Sequence, residues 1–445
     1  MRERAEMSML KNRKISSIMV GILLLFSLLI AGCSNNDENG STHSNTKEVT
    51  LSLLIDNQAN QTGIRAVAAK IEKKYHIKTD IETRPSGVEG HQVMKTRLAT
   101  GDMADLVIYN SGSLLQSLNP EEYFVDLKDE PFIRKIVPSF KDSVTVNGKV
   151  FGLPIGNAIA GGWLYNKKVY QKLGLTVPKT WDELITNSER IKAAGKTAVI
   201  GTYKDDWTSQ LIVVADNHNV ISANPTFAED FSDNKAKFST TPAALKSFEK
   251  LSEVYKRGFL NKDFQTATNK EGLKMLIDGT GVQYPMLSSM LMGMAKNYPD
   301  KINDIGFFPQ PGDNPKDKGV TVFMPAAIYV NKNTQHLEAA KEWLSYIVST
   351  EGVKMLLDER IPVGPFAIKG MKNPKNVIPA VRDMLPYYET GKTTPALEYQ
   401  SPLKGPNLPQ ITIQVGSGII SAKAGAELYD KDVEKQAKQL GLKGW

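Results

Sequence analysis

Cys33 is the single cysteine of this 445-residue chain, so no intramolecular disulfide framework and no cluster of thiolate metal ligands can form. Histidine is also scarce. His43, His76, His91, His218 and His336 stand apart, none with a second histidine or a carboxylate at ligand spacing, which argues against a zinc site. There is no Gly-x-Ser-x-Gly elbow, no phosphate-cradling glycine loop and no Gly-x-Gly-x-x-Gly after a strand, so neither nucleophilic hydrolysis nor nucleotide binding is signalled and no cofactor is expected. No run of Lys and Arg suggests nucleic acid, and no solenoid repeat is visible. The longest apolar run, from about Ile18 to Ile30, is short for a membrane span.

What stands in that run's place is an address. Arg2, Arg4, Lys11, Arg13 and Lys14 precede it, and it ends in Ile30-Ala31-Gly32-Cys33, small residues before a cysteine, as in a bacterial lipobox. Residues 1–32 are therefore expected to be a lipoprotein signal peptide. Cys33 would carry the lipid that anchors the protein to the extracytoplasmic face of the cell membrane. Ser34 to Thr46 has no large apolar residue, so residues 33–47 read as a flexible tether. The formal charge is +7, of which the signal region carries a net +3 (five basic residues against Glu3 and Glu6), leaving about +4 on a mildly basic body.

The stretch from Val146 to Leu184 organises the remainder. Asn147-Gly148 is a strong hairpin signal between Val144 and Val146 on one side and Val150, Phe151 and Leu153 on the other. Small residues from Gly156 to Gly162 then read as a crossing between two bodies, before Trp163, Leu164 and Tyr165 resume a strand. Asn166 is placed to cap a short helix. Pro178-Lys179-Thr180-Trp181-Asp182-Glu183-Leu184 opens another, with acids in its first turn. A hairpin ending in Pro, a strand ending Tyr-Asn-Lys, a Leu-Gly turn and this helix start resemble the extracellular solute-binding proteins of the maltose-binding type, the receptors of ABC sugar importers.

The rest of the chain is consistent with that resemblance. Strand, helix, strand, helix, strand from Val49 to Tyr109 is the pattern of a parallel, layered sheet, whose ligands lie beyond the carboxyl ends of the strands. The resemblance implies an α/β, two-lobed periplasmic-binding-protein type II fold with discontinuous lobes joined by hinge crossings. It divides the chain into a first lobe of residues 48–157 and 310–350 and a second lobe of residues 158–309 and 351–445. Thr321 to Asn331 reads as one strand, and Gln335 to Val348 as an amphipathic helix.

A sugar shows apolar C–H faces ringed by hydroxyls, so its site calls for flat aromatics with amide, carboxylate and hydroxyl partners. Tyr109, Trp163, Trp207 and Tyr284 fall at strand ends, loops or the crossing, and each is open to a ligand role or a core role. The resemblance places Trp207 and Tyr284 where relatives carry stacking aromatics. Asp56, Asn57, Gln58, Asn110, Ser111 and Asn157 are hydrogen-bond candidates, or ordinary turn caps. Trp181 and Trp343 are assigned to packing. After Pro406-Asn407-Leu408-Pro409-Gln410 this chain lacks the aromatic found in maltodextrin binders, so maltodextrin is not implied and Gln414 offers a hydrogen bond alone.

The expected protein is a monomeric, lipid-anchored receptor that closes on a carbohydrate, an oligosaccharide by preference, and delivers it to ABC permease subunits without making or breaking a bond. The rival readings are the same fold binding a peptide, a polyamine or a metal chelate, a partner of a sensor kinase, and a surface glycosidase using Asp205 and Asp206.

Overall fold

The computed structural model describes residues 48–59, 61–356, 362–371 and 377–445. Its strands are β1 (Val49–Asp56), β2 (Ile77–Arg84), β3 (Leu106–Tyr109), β4 (Thr145–Val146), β5 (Lys149–Val150), β6 (Gly152–Pro154), β7 (Ile159–Asn166), β8 (Thr197–Val199), β9 (Gly281–Leu287), β10 (Ile305–Pro309), β11 (Val320–Phe323), β12 (Ala327–Val330) and β13 (Thr393–Pro395). They form two main sheets, one in each lobe of a two-lobed α/β fold. The first orders β2-β1-β3-β12-β6, and the second orders β13-β11-β7-β9-β8 with β10 also paired to β7.

In the first lobe β1 runs parallel to both β2 and β3. Helices Thr62–Tyr75 and Gly87–Thr100 make the crossovers that parallel pairing requires. Ile64, Val67, Ala68 and Ile71 recur at helical spacing on the buried face of the first of these. That face meets a core that also holds Leu53, Phe124, Phe140, Tyr329 and Trp343. The hairpin β4-β5 turns at Asn147 (φ 50°) and Gly148 (φ 76°), the two left-handed positions of a type I′ turn. In the second lobe Asn166 Oδ1 accepts from Val169 N at 3.0 Å, and Thr180 caps the helix Trp181–Ala193.

Among the described residues the chain changes lobe between β6 and β7, between β11 and β12 and after the helix Thr350–Leu356, and the last two differ from expectation. The first runs through Ile155 to Ala158, between β6 and β7. The second was expected at Gln310. Instead β11 stays in the second sheet beside β7 and β12 enters the first beside β3, so the change lies at Met324-Pro325-Ala326. Pro325 supplies no backbone donor, which divides the single strand expected from Thr321 to Asn331 into two. The third was expected from Glu351. The helix Thr350–Leu356 remains on the first lobe, where Val353 joins its core and Lys70 pairs with Glu351 at 2.8 Å. Val363 then packs in the second-lobe core with its carbonyl on Ser288 Oγ, Ala367 and Ile368 return to the first-lobe core with Ile368 bridged to Ile136, and the helix Pro379–Glu389 packs in the second lobe, so the chain does not leave the first lobe at Glu351.

The second lobe is held at depth by an ion pair. Lys250 Nζ lies 2.6 Å from Asp216 Oδ1 with the two side chains 2% and 1% exposed. Lys250 also donates to the Pro311 carbonyl at 3.0 Å and sits 5.5 Å from the centre of the Trp181 ring. Removing one partner of such a pair strands a charge away from water. Asp216→Ala is expected to lower the unfolding free energy by ~3–5 kcal/mol, whereas Asp216→Leu with Lys250→Met restores most of it, both read by guanidinium denaturation.

Candidate functional site

The parallel register of β1 and β2 sets Asp56 opposite Arg84, at carboxyl ends that share one edge of the sheet with Tyr109 of β3. Asp56 Oδ2 lies 3.4 Å from Arg84 Nη1. The Arg84 guanidinium sits 5.0 Å from the centre of the Tyr109 ring, and the Tyr109 hydroxyl lies 2.5 Å from His91 Nδ1. Arg84, His91 and Tyr109 are 5%, 5% and 3% exposed, so this layer backs the site without lining it. Burial, with Lys95 and Arg84 nearby, pushes the His91 pKa down to about 4, so its imidazole is neutral, and the tautomer sets which of Nδ1 and the Tyr109 hydroxyl donates in their bond. Burial likewise pushes the Tyr109 phenol up. Arg84 Nε and His91 Nε2 find no hydrogen-bond partner among the described residues.

In front of this layer the two lobes touch. The turn after β1 is tied by Gln58 N donating to Asp56 Oδ1 at 2.8 Å, and it carries the Gln58 side chain across the cleft. Gln58 Nε2 donates to Asp205 Oδ1 at 2.5 Å and Gln58 Oε1 accepts from Trp207 Nε1 at 2.9 Å. The second-lobe residues are fixed from behind: Asp205 Oδ2 accepts from Asn269 N at 2.6 Å, and Trp207 lies in a short 3-10 turn, Asp206–Thr208. Asp206 Oδ2 takes Val88 N of the first lobe at 3.4 Å and Gln410 Nε2 at 3.2 Å. Lys296 Nζ reaches Thr62 Oγ1 at 2.9 Å. This is a closed arrangement. Desolvation raises the pKa values of Asp56 and Asp206, opposed for Asp56 by the Gln58 backbone and Arg84 and for Asp206 chiefly by hydrogen bonds from the Val88 and Trp207 backbones.

Asp56, Gln58 and Trp207 thus meet in one cleft, with Tyr109 behind them. Gln414 lies one helical turn after Gln410 on the helix Leu408–Gly416, its Nε2 3.5 Å from the Gln410 carbonyl. Asn57 is exposed beside Gln58 and spends its N–H on the Arg84 carbonyl. Among the described residues the Asn110 side chain has no hydrogen-bond partner, while its carbonyl accepts from the Tyr329 hydroxyl at 2.8 Å. Ser111 and Asn157 belong to the crossings instead: Ser111 Oγ donates to Pro325 O, and Asn157 Nδ2 to Gly364 O at 2.7 Å.

Two aromatic expectations require correction. Trp163 is fully buried in the second-lobe core, stacked on Phe308 at 6.1 Å with its Nε1 on Gln310, so it presents no face to a ligand. Tyr284 is 1% exposed, and its hydroxyl is engaged by Thr202 at 2.6 Å and Asn269 at 3.0 Å. It supports Asp205 through Asn269 rather than offering a platform. Sequence reasoning missed Arg84 and His91. The last residue of β2 was a findable signal, because a strand end at the carboxyl edge is where such sites lie. Val88 and Lys296 carried no signal, since their contacts form only across the cleft.

Asp205 and Asp206 are neighbours in one loop and not a pair facing each other across a gap: Asp205 accepts from Gln58 Nε2 and Asn269 N, and Asp206 from Val88 N and Gln410 Nε2. Among the described residues no group of three or more His, Cys, Asp or Glu is arranged to hold a metal ion, and no helix is long and apolar enough to cross a membrane.

The family model for bacterial extracellular solute-binding proteins matches residues 56–354. A multiple sugar-binding protein of Streptococcus mutans is 26% identical over 80% of this chain and 84% of its own. Among solved structures, a chitin oligosaccharide binding protein superposes with a TM-score of 0.75 at 18% identity, over 88% of this chain and 100% of that one. The raffinose complex of the solute-binding protein RafE gives 0.72 at 21% identity, over 87% and 99%. These structures share the fold.

A histidine held neutral in the native state takes up its proton on unfolding. Its contribution to stability is therefore complete above the ordinary histidine pKa near 6.5 and is lost as pH falls from there through about 4. Asp56 and Asp206 act in the opposite sense at the acid end. The difference between wild type and His91→Asn isolates the histidine: urea titrations from pH 7 to pH 4 are expected to show stability falling in wild type by up to about 3 kcal/mol more than in the variant.

Proposed function

Because this chain belongs to the bacterial extracellular solute-binding protein family, we propose that it captures a carbohydrate between its lobes and presents it to the permease subunits of an ABC importer. The observation that carries the reading is the meeting of Gln58 with Asp205 and Trp207 across the cleft. An indole, carboxylates and amides converging from two lobes are the groups a hydroxylated ring engages. The sugar-binding names of the relatives support the same class of ligand.

Capture needs no chemistry on the ligand. Contacts from both lobes exist together only when the cleft is closed, so a ligand that bridges them favours closure, and a permease that recognises the closed form takes delivery. The sugar leaves as it entered. The carboxylates Asp56, Asp205 and Asp206 give the cleft acceptors for hydroxyl protons, with Arg84 behind Asp56 to balance one of them.

The proposed setting is the extracytoplasmic face of the membrane, as a monomer tethered through lipid on Cys33. Cys33 lies outside the described residues, and the motif Ile30-Ala31-Gly32-Cys33 is the support for this part. Cys33→Ser is expected to abolish incorporation of labelled palmitate and to move the protein from the membrane fraction to the soluble one.

Tryptophan fluorescence titration against raffinose, stachyose, melibiose and chitin oligosaccharides, with peptides and spermidine as controls, tests the reading. A saturable response to one sugar class, with that sugar recovered intact, is expected. Trp207→Ala should weaken the affinity about tenfold or more, because it removes both a stacking face and an indole donor. A response to spermidine alone would replace the carbohydrate with a cation, and recovery of cleaved sugar would make the protein an enzyme.

A further inference from the structure

The Gln58 bridge has a pattern that a ligand would share. One end of the carboxamide donates to a carboxylate and the other accepts from an indole N–H, and both partners belong to the opposite lobe. The turn that carries Gln58 is short and anchored, with Gln58 N on Asp56 Oδ1 and Ala59 N on Asp56 O. Asp205 and Trp207 are equally fixed, by Asn269 N and by the 3-10 turn. Two rigid groups therefore read one donor and one acceptor at a set spacing. Adjacent hydroxyls on a pyranose supply that pair, one O–H donating to Asp205 and the neighbouring oxygen accepting from Trp207 Nε1.

We propose that the Gln58 carboxamide is an internal stand-in for a pair of sugar hydroxyls: it bridges Asp205 and Trp207 across the cleft, and a ligand must displace it to bind. The inference rests on the carbohydrate reading of the cleft. Its consequence is selectivity. A solute gains from this subsite only the excess of its own two bonds over those of the amide, so solutes that lack either the donor or the acceptor are discriminated against. Displacement also couples binding to a rearrangement of the turn at Asp56, since the bridged form is a competing state whose population reduces apparent affinity.

Two variants read the bridge without any sugar. Gln58→Ala removes both bonds, and Gln58→Glu sets a carboxylate against Asp205. Small-angle X-ray scattering of the sugar-free proteins is expected to show a larger radius of gyration for both variants than for wild type. The sugar that saturates wild type, with raffinose as the first probe, is then expected to bind Gln58→Ala about fivefold more tightly, because the competing state is gone. Unchanged scattering in both variants would overturn the bridge. Weaker binding by Gln58→Ala would overturn the stand-in role and make Gln58 a ligand contact that persists in the complex. Failure of wild type and Gln58→Ala alike to respond to any sugar would overturn the carbohydrate reading and the stand-in role with it, while the scattering separately decides the bridge.

Discussion

Parallel pairing of β1 with β2 and β3 is the constraint from which the cleft follows. Parallel strands require crossovers, the crossovers here are helices, and each strand therefore delivers its carboxyl end to the same edge. The register fixes what arrives there. A slip of one residue between β1 and β2 would move Asp56 off Arg84 and turn the side chains of the shifted strand to the opposite face. The ion pair, the guanidinium over Tyr109 and the turn that presents Gln58 all inherit their positions from that ladder.

The layer behind the cleft is built at some cost. Arg84 is buried with one carboxylate at 3.4 Å, and among the described residues its Nε and the Nε2 of buried His91 have no hydrogen-bond partner. Such groups weaken a fold unless something else compensates, and the apolar mass around Trp343 and Phe140 provides it. What the arrangement supplies is rigidity at the Asp56 end of β1. A turn that must carry one side chain across a gap to meet two fixed partners tolerates little play, because hydrogen bonds weaken steeply with misalignment. The second lobe answers with its own anchoring, the Lys250–Asp216 pair and the Tyr284–Asn269–Asp205 chain, which hold its half of the contact still.

Much of the local structure was legible in the sequence because its determinants are local. The Asn147-Gly148 hairpin, the Asn166 and Thr180 caps and the inner face of the helix Leu337–Ile347 each depend on residues within a few positions of one another. Of the site, Asp56, Gln58 and Trp207 were legible as polar or aromatic residues on loops at strand ends. Trp163 and Tyr284 were misjudged for the converse reason. Whether an aromatic in a strand faces a ligand or a core depends on what packs over it, and Phe308 and Thr202 come from distant segments.

The sequence by itself determined the layered α/β pattern and the scarcity of cysteine and histidine, which are written in periodicity and composition, and its motifs carried the family resemblance. Only the tertiary structure decided where the chain changes lobe, which aromatics are core, and that Gln58 spans the cleft. The physical reason is range. A cap or a turn is settled by interactions across a few bonds, whereas Gln58 and Trp207 are separated by 149 residues and meet only after two independent cores have formed and closed on one another.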